Sequence, residues 1–392
     1  MTQSSKFVEK PTFISLCGLK ISFSGTRLAY FANFLDGWFV ANMLILAVFR
    51  TKGRKQKMCR ICGNDWSGDL SRRRVLGMFG AAAAAGVAGS ALWSRSSSAA
   101  ELTKISIGDL VQAGAHSAGM KAGQRPEVAS KFGLIIEPRQ YNAGANLVQA
   151  LASGDIVAGV CGCTPAIMAR AQGVKLKIVA NSNREGSSLI GRQEIKSAAE
   201  LDGKTVATPN IASVQEAVMR QYEQKLGIKT KRAFVKATDM PIMLRNKEID
   251  AYIVWESTAT AGLAVSTGKI LATSKDMAPN HECCSLIVAE DFLNKQPQQA
   301  KQLINTFAEG RKQISNDQAL LTKMVAEADG VSPEIAAQAL KNVAYTKATN
   351  NIDELVRLTE SLMSTGTIEK GKISDPSAFV KDLVDNSVIA AA

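Results

Sequence analysis

From Glu101 to about residue 290, short β-branched runs alternate with longer windows of helical spacing, and this alternation limits the fold most tightly. Segments that alternate in this way build mostly parallel sheets with helices on their faces. The expected strands are Lys104–Leu110, Leu134–Tyr141, Ile156–Val160, Lys175–Ala180, Thr205–Thr208, Arg232–Val235, Ala251–Trp255, Ile270–Thr273 and Ser285–Ala289. Between them lie helical windows at Ala143–Ser153, Pro165–Gln172, Val214–Leu226 and Met240–Asn246. Beyond about residue 291 the pattern turns helical, through Pro297–Ser315, Ala319–Ala328, Pro333–Lys341 and Ile352–Ser364. Asn142 to Asp155 and Asp239 to Asp250 follow one logic, a helix entered from a strand and closed by a polar turn into the next. Each such unit needs its own sheet, so two α/β lobes are expected, with a helical C-terminal tail and no internal repeat.

Upstream, Ser71-Arg72-Arg73-Arg74 precedes an alanine- and glycine-rich run from Met78 to Leu92. That run is shorter than the about 20 apolar residues a stable membrane span needs. Paired arginines before a weakly apolar stretch read as a twin-arginine export signal carried by Arg72 and Arg73. Val75 stands where the usual pattern has Phe, so the segment points to export more firmly than to the route. Ser98-Ala99-Ala100 offers a cleavage site, which makes Glu101 the expected first mature residue and the periplasm its compartment. Residues 58–100 are thus read as signal. Residues 1–57 read either as carrying a membrane helix near Tyr30–Phe49 or, as preferred, as lying upstream of a mis-assigned start, with Met58 opening the leader. No lipid-attachment cysteine follows the run, so a soluble product is expected.

The net charge of +12 would suggest nucleic acid, but residues 1–100 hold 14 Lys/Arg against 4 Asp/Glu. Residues 101–392 hold 33 against 31. A chain so nearly neutral offers no electrostatic footprint for a nucleic-acid partner. Catalytic motifs are missing too: there is no phosphate loop, Gly-x-Ser-x-Gly or His-Glu-x-x-His, and the whole chain has only two histidines. An enzyme is not expected.

Several elements in order carry a family resemblance: Ala150-Leu151-Ala152-Ser153-Gly154-Asp155, the stretch Thr164 to Gly173, and Ile195 to Val206. Leu226-Gly227, Asp239-Met240, Glu248 to Tyr252 and Val254-Trp255-Glu256 continue it, over roughly residues 103–310. Together they resemble the periplasmic substrate-binding proteins of ABC importers in the nitrate/sulfonate/taurine group. The resemblance implies a two-lobed type II periplasmic-binding fold, each lobe a mostly parallel sheet flanked by helices. Lobe 1 would comprise 101–190 with 283–392, and lobe 2 residues 191–282. It implies a monomer that delivers a small anion or zwitterion to a membrane permease and its cytoplasmic ATPase, with no cofactor. Sulfonate or taurine leads, nitrate or bicarbonate follows, and a pyrimidine-like ligand on the same fold trails. A metal or cofactor carrier on that fold is a further alternative.

In such a fold the ligand lies where strands run into helices, because helix N-termini offer unpaired N–H groups and a positive dipole end. The candidates are Gln112, His116, Asn142, Asn146, Cys163, Thr164, Ser213, Thr238, Asp239, Trp255 and Glu256. Thr164, Ser213, Thr238 and Asp239 read equally as ordinary N-caps. Glu256 would repel a purely anionic ligand and suit an ammonium such as that of taurine. The resemblance also places the returning strand antiparallel beside the third, which would gather Cys161, Cys163, His281, Cys283 and Cys284. Export favours a disulfide there. Buried thiols or a soft metal remain open, although neither Cys-x-Cys nor His-x-Cys-Cys is a standard zinc spacing.

Overall fold

The computed structural model describes residues 13–16, 19–22 and 101–392. The chain divides into two units, residues 1–95 and 96–392, and in the first Phe13–Leu16 and Leu19–Ser22 pair antiparallel. The export signal with Arg72 and Arg73, and the stretch 30–49, lie outside the described residues.

The larger unit opens with β1 (Thr103–Leu110), α1 (Gly114–Gly123), β2 (Leu134–Tyr141), α2 (Gly144–Ser153), β3 (Ala158–Gly162), α3 (Cys163–Ala171) and β4 (Leu176–Glu185). A second group follows: β5 (Ser187–Gly191), β6 (Thr205–Thr208), α4 (Val214–Leu226), β7 (Lys231–Phe234), α5 (Met240–Arg245), β8 (Ala251–Trp255), α6 (Thr258–Ser266) and β9 (Lys269–Thr273). The chain then returns through β10 (Glu282–Ala289) into α7 (Pro297–Asn316), α8 (Gln318–Asp329), α9 (Pro333–Leu340), β11 (Val343–Ala344), α10 (Ile352–Ser364) and α11 (Pro376–Leu383).

The strands form two sheets, ordered β11-β4-β10-β3-β1-β2 and β9-β5-β8-β6-β7. In each, the βα units give parallel pairs, β3 with β1 and β1 with β2 in one, β8 with β6 and β6 with β7 in the other. The strands that carry the chain between lobes run antiparallel: β10 against β3 and β4, and β5 against β8 and β9. The chain crosses at Gly186, in the left-handed region at φ 95°, and returns between Thr273 and Glu282. Strand β5 was not among the expected strands, and it pairs in the second sheet although residues 187–190 were grouped with lobe 1 from sequence.

Burial explains the element choice. Ile107, Leu134, Val160, Ile178, Ile253 and Leu286 are all at most 2 % exposed, and each such side chain contributes about 1.5–3 kcal/mol on leaving water. Helix α7 crosses α1 closely enough that a Cβ on Gly310 would lie 2.0 Å from the Gly119 carbonyl oxygen. That contact fixes α1, whose first turn faces the cleft. Among the described residues no helix is long and apolar enough to cross a membrane.

Candidate functional site

Four helices begin at one point between the lobes. A small cavity of about 30 Å³ there is lined by Ala113 and His116 of α1, Ala143 and Gly144 of α2, and Gly162 and Pro165 of α3. From the other lobe come Asn210, Ser213, Val214 and Gln215 at the start of α4, with Trp255 at the end of β8; Leu110 and Cys284 complete the wall. That volume holds about two water molecules, so the lobes are closed on it.

Three of the four helix starts lack an N-cap side chain. The N-cap residues of α1, α2 and α3 are Ala113, Ala143 and Gly162, none with an oxygen-bearing side chain. Asp329 accepts the Gly114 N–H at 2.7 Å, which satisfies one donor of α1. Ser213 caps α4 by accepting from Glu216 N at 3.1 Å. The first-turn donors of α2 and α3 are left to whatever the cavity holds, and the dipole ends add positive potential there. No Lys, Arg, Asp or Glu lines the cavity among the described residues.

Closure is held by cross-lobe hydrogen bonds, three of them between neutral groups. Trp255 Nε1 and Thr258 Oγ1 both donate to the Gln112 carbonyl, at 2.9 and 3.2 Å. Thr164 Oγ1 donates to the Ala212 carbonyl at 2.6 Å. Ser257 Oγ donates to Asp329 Oδ2 at 2.8 Å, joining α8 to the end of β8.

Of the residues expected from sequence, the cavity receives His116, Ser213 and Trp255, and Cys284 from the cysteine group. Thr164 is buried against Ala212 instead. Cys163 bonds Ser285 Oγ at 3.3 Å behind the wall. Asn142, just ahead of α2, and Asn146, within it, are exposed. Gln112, with its left-handed φ of 51°, and Thr238 line a separate groove, while Asp239 is exposed. Glu256 does not line the cavity. Its carboxylate accepts from Ser188 Oγ, Asn342 Nδ2, Thr260 Oγ1 and Thr260 N at 2.7–3.1 Å, so it offers nothing to an ammonium. Gly144, Gly162 and Gln215 were missed; for the two glycines the available signal was the absence of a capping side chain just after a strand.

The cysteines differ from expectation in two respects. All four are free and buried, and no disulfide joins the segments. They also do not gather as one group. Cys161, opposite Ser285 in the β3–β10 register, packs into the core, and burial pushes its thiol up to about 12. The cluster forms instead around His116 of α1, with Cys283 and Cys284 Sγ each 3.5 Å from its Nδ1. A hydrogen bond from Cys284, and beyond it His116 and His281, hold the Cys283 thiol well below its ordinary range despite burial; Cys284 is pushed up in return. Burial disfavours the His116 imidazolium, but Cys283 and the Gly186 carbonyl outweigh it and raise the group. His281 bonds the Ala278 carbonyl through Nδ1 at 2.8 Å, and its buried Nε2 has no partner.

The architecture agrees with what known proteins show. The model of the NMT1-like family matches residues 98–327. This chain belongs to the NMT1-like family. The taurine-binding periplasmic protein of Escherichia coli (strain K12) is 27% identical over 182 residues, 44% of this chain and 55% of that protein. The match therefore spans about half the length of that relative. Among solved structures, the periplasmic nitrate-binding protein of Synechocystis PCC 6803 superposes with a TM-score of 0.65 at 13% identity, covering 74% of this chain and 88% of its own. The periplasmic aliphatic sulphonate binding protein of Escherichia coli gives 0.58 at 18%, covering 70% and 91%. At such identities the structures establish the fold, that of the periplasmic binding proteins, in which this NMT1-like chain presents the cleft described above.

Proposed function

We propose that this chain is an extracytoplasmic solute-binding protein, not an enzyme, which hands a small oxyanion to the permease and ATPase of an ABC importer. The observation that carries the reading is the convergence of helix N-termini, three without side-chain caps, on a cavity lined by no Lys, Arg, Asp or Glu. Such a site holds an anion through backbone N–H groups and dipoles, in a space that closure shields from water. The likeness to a taurine-binding protein favours a sulfonate headgroup. With the Glu256 carboxylate already taken by Ser188, Thr260 and Asn342, the sulfonate end rather than the ammonium is the recognised part in this reading. The small closed volume favours a second reading, nitrate or bicarbonate by the same donors. The leader containing Arg72 and Arg73 supplies the route to the periplasm in this reading.

A thermal-shift and calorimetric screen of taurine, alkanesulfonates, nitrate and bicarbonate tests it. A ligand at about 100 times its Kd should add roughly 2.7 kcal/mol. If no oxyanion stabilises the protein, the reading fails.

A further inference from the structure

Cys283 and Cys284 are adjacent on β10, and in a regular strand their side chains would point to opposite faces. Here the register against β4 slips between Glu282 and Cys284 and again between Cys284 and Ser285. Irregularities of this kind re-aim side chains and gather beside functional sites. Their effect is to bring both sulfurs to one place, 3.8 Å apart and each 3.5 Å from His116 Nδ1. Three potential ligands thus meet, from two elements far apart in the chain, all buried.

The spacing is that of a coordination shell. With Zn–S of about 2.3 Å and Zn–N of about 2.0–2.1 Å, tetrahedral angles put sulfurs about 3.8 Å apart and sulfur and nitrogen about 3.5–3.6 Å apart. The imidazole is oriented to match. His116 Nε2 lies 3.0 Å from the Gly186 carbonyl, so it carries the proton and Nδ1 presents its lone pair to the sulfurs. A metal-bound histidine typically donates its other ring N–H to just such a carbonyl. The Asn183 amide, 3.2 Å from Nδ1, is the donor that an ion would displace.

We propose that His116, Cys283 and Cys284 form a binding site for a thiophilic d10 cation, Zn²⁺ by its spacing, with Cu⁺ as the alternative of the same chemistry. His116 and Cys284 also line the cavity, so the ion sits in its wall. The fourth position is open to water or, if the solute reading holds, to an oxygen of the bound oxyanion. Binding replaces each thiol S–H by an S–metal bond, and the protons leave to solvent.

The test uses the full chain with C59S and C62S, so that the other close cysteine pair contributes nothing, reduced and handled without oxygen. Zn²⁺, Cu⁺ and Co²⁺ are titrated separately with no oxyanion present. One Zn²⁺ per chain and a thiolate-to-cobalt charge-transfer band with Co²⁺ are expected. H116Q and C284S should weaken binding at least about tenfold, the scale on which even second-shell changes act, while C161A should leave it intact. Stoichiometric Cu⁺ with no Zn²⁺ binding would overturn the zinc assignment. The site itself is overturned if wild-type cysteines give no charge-transfer band, or if C283S/C284S binds Zn²⁺ as tightly while keeping its native circular dichroism. The band needs no variant to fold. Oxyanion binding is measured separately on chelator-treated protein, so the failure of one proposal leaves the other standing.

Discussion

Gly162 ends β3 at the mouth of the cavity, and its lack of a side chain is what lets the lobes close. A Cβ there would lie 2.8 Å from Val214 Cγ2, in the first turn of α4 in the opposite lobe. Carbon atoms pack best at about 3.5–4.0 Å, so Gly162→Ala demands roughly 1 Å of separation at the cleft. Val214 cannot turn aside cheaply, because a β-branched side chain in a helix has one strongly preferred rotamer. The contact with Pro165 Cδ at 3.3 Å is milder and lies within one lobe, so it burdens open and closed forms alike. Overpacking costs about 1–3 kcal/mol, and here it falls on the closed form alone. Oxyanion affinity should therefore drop roughly five- to 150-fold. Calorimetry with the best ligand from the screen measures this, and urea unfolding of the ligand-free protein should change little. Adding Val214→Ala should recover most of the loss. Wild-type affinity in G162A, failure of that recovery, or an equal loss of ligand-free stability would each refute the argument.

Two further changes probe the frame around the cleft. Gly310→Ala should destabilise the fold at or above the upper end of about 1–3 kcal/mol, because the new Cβ meets backbone of both Gly119 and Gly123, which cannot rotate away; an unchanged urea midpoint would contradict the helix crossing. Asp329 has its carboxyl raised by burial, against the lowering pull of Gly114 N–H and Ser257. A carboxyl raised in the folded state contributes stability that is complete below its unfolded pKa near about 3.9 and is lost as pH climbs through the folded value. Asp329→Asn keeps an oxygen for Gly114 and removes that loss. Its melting temperature relative to wild type should therefore rise between about pH 4 and pH 7, and a pH-independent difference would refute the assignment.

The lobes were legible because their strands are β-branched runs bounded by turn residues, as in Ile253-Val254 or Ile287-Val288, and periodicity alone locates these. Strand β5 was not, since it begins Ser187-Ser188 after a polar stretch. Those polar residues are buried because the crossing satisfies them: Ser188 donates to Glu256, Ser187 accepts from Gln215, and Ser274 Oγ takes the backbone N–H of Gly186 and Ser187. A sequence shows polarity but not the partners that tertiary structure provides. The site was half legible for the same reason. His116, Ser213 and Trp255 announce themselves by side-chain chemistry, whereas Gly144 and Gly162 act through backbone and through what they leave empty. His116 could not be joined to Cys283 and Cys284 from sequence, since the meeting depends on slips in the β10 register.

The absence of a lining carboxylate or guanidinium also bears on release. A buried ion pair would hold an anion tightly, and breaking it would cost about 3–5 kcal/mol, which a delivery protein must then surrender at the membrane. Here the cross-lobe bonds from Trp255, Thr258 and Thr164 are neutral. At a net of about 0.5–1.5 kcal/mol each, they add to the bonds that Ser257 and Asn342 give the Asp329 and Glu256 carboxylates across the cleft. In the proposed reading an oxyanion would add to this by satisfying the helix starts that meet at the cavity. A partner that pulls the lobes apart far enough to break these bonds, with those from Ser257 to Asp329 and from Asn342 to Glu256, would open the site as a whole, since no charged side chain lines the cavity. The geometry therefore suits a ligand that is held only while the cleft is shut.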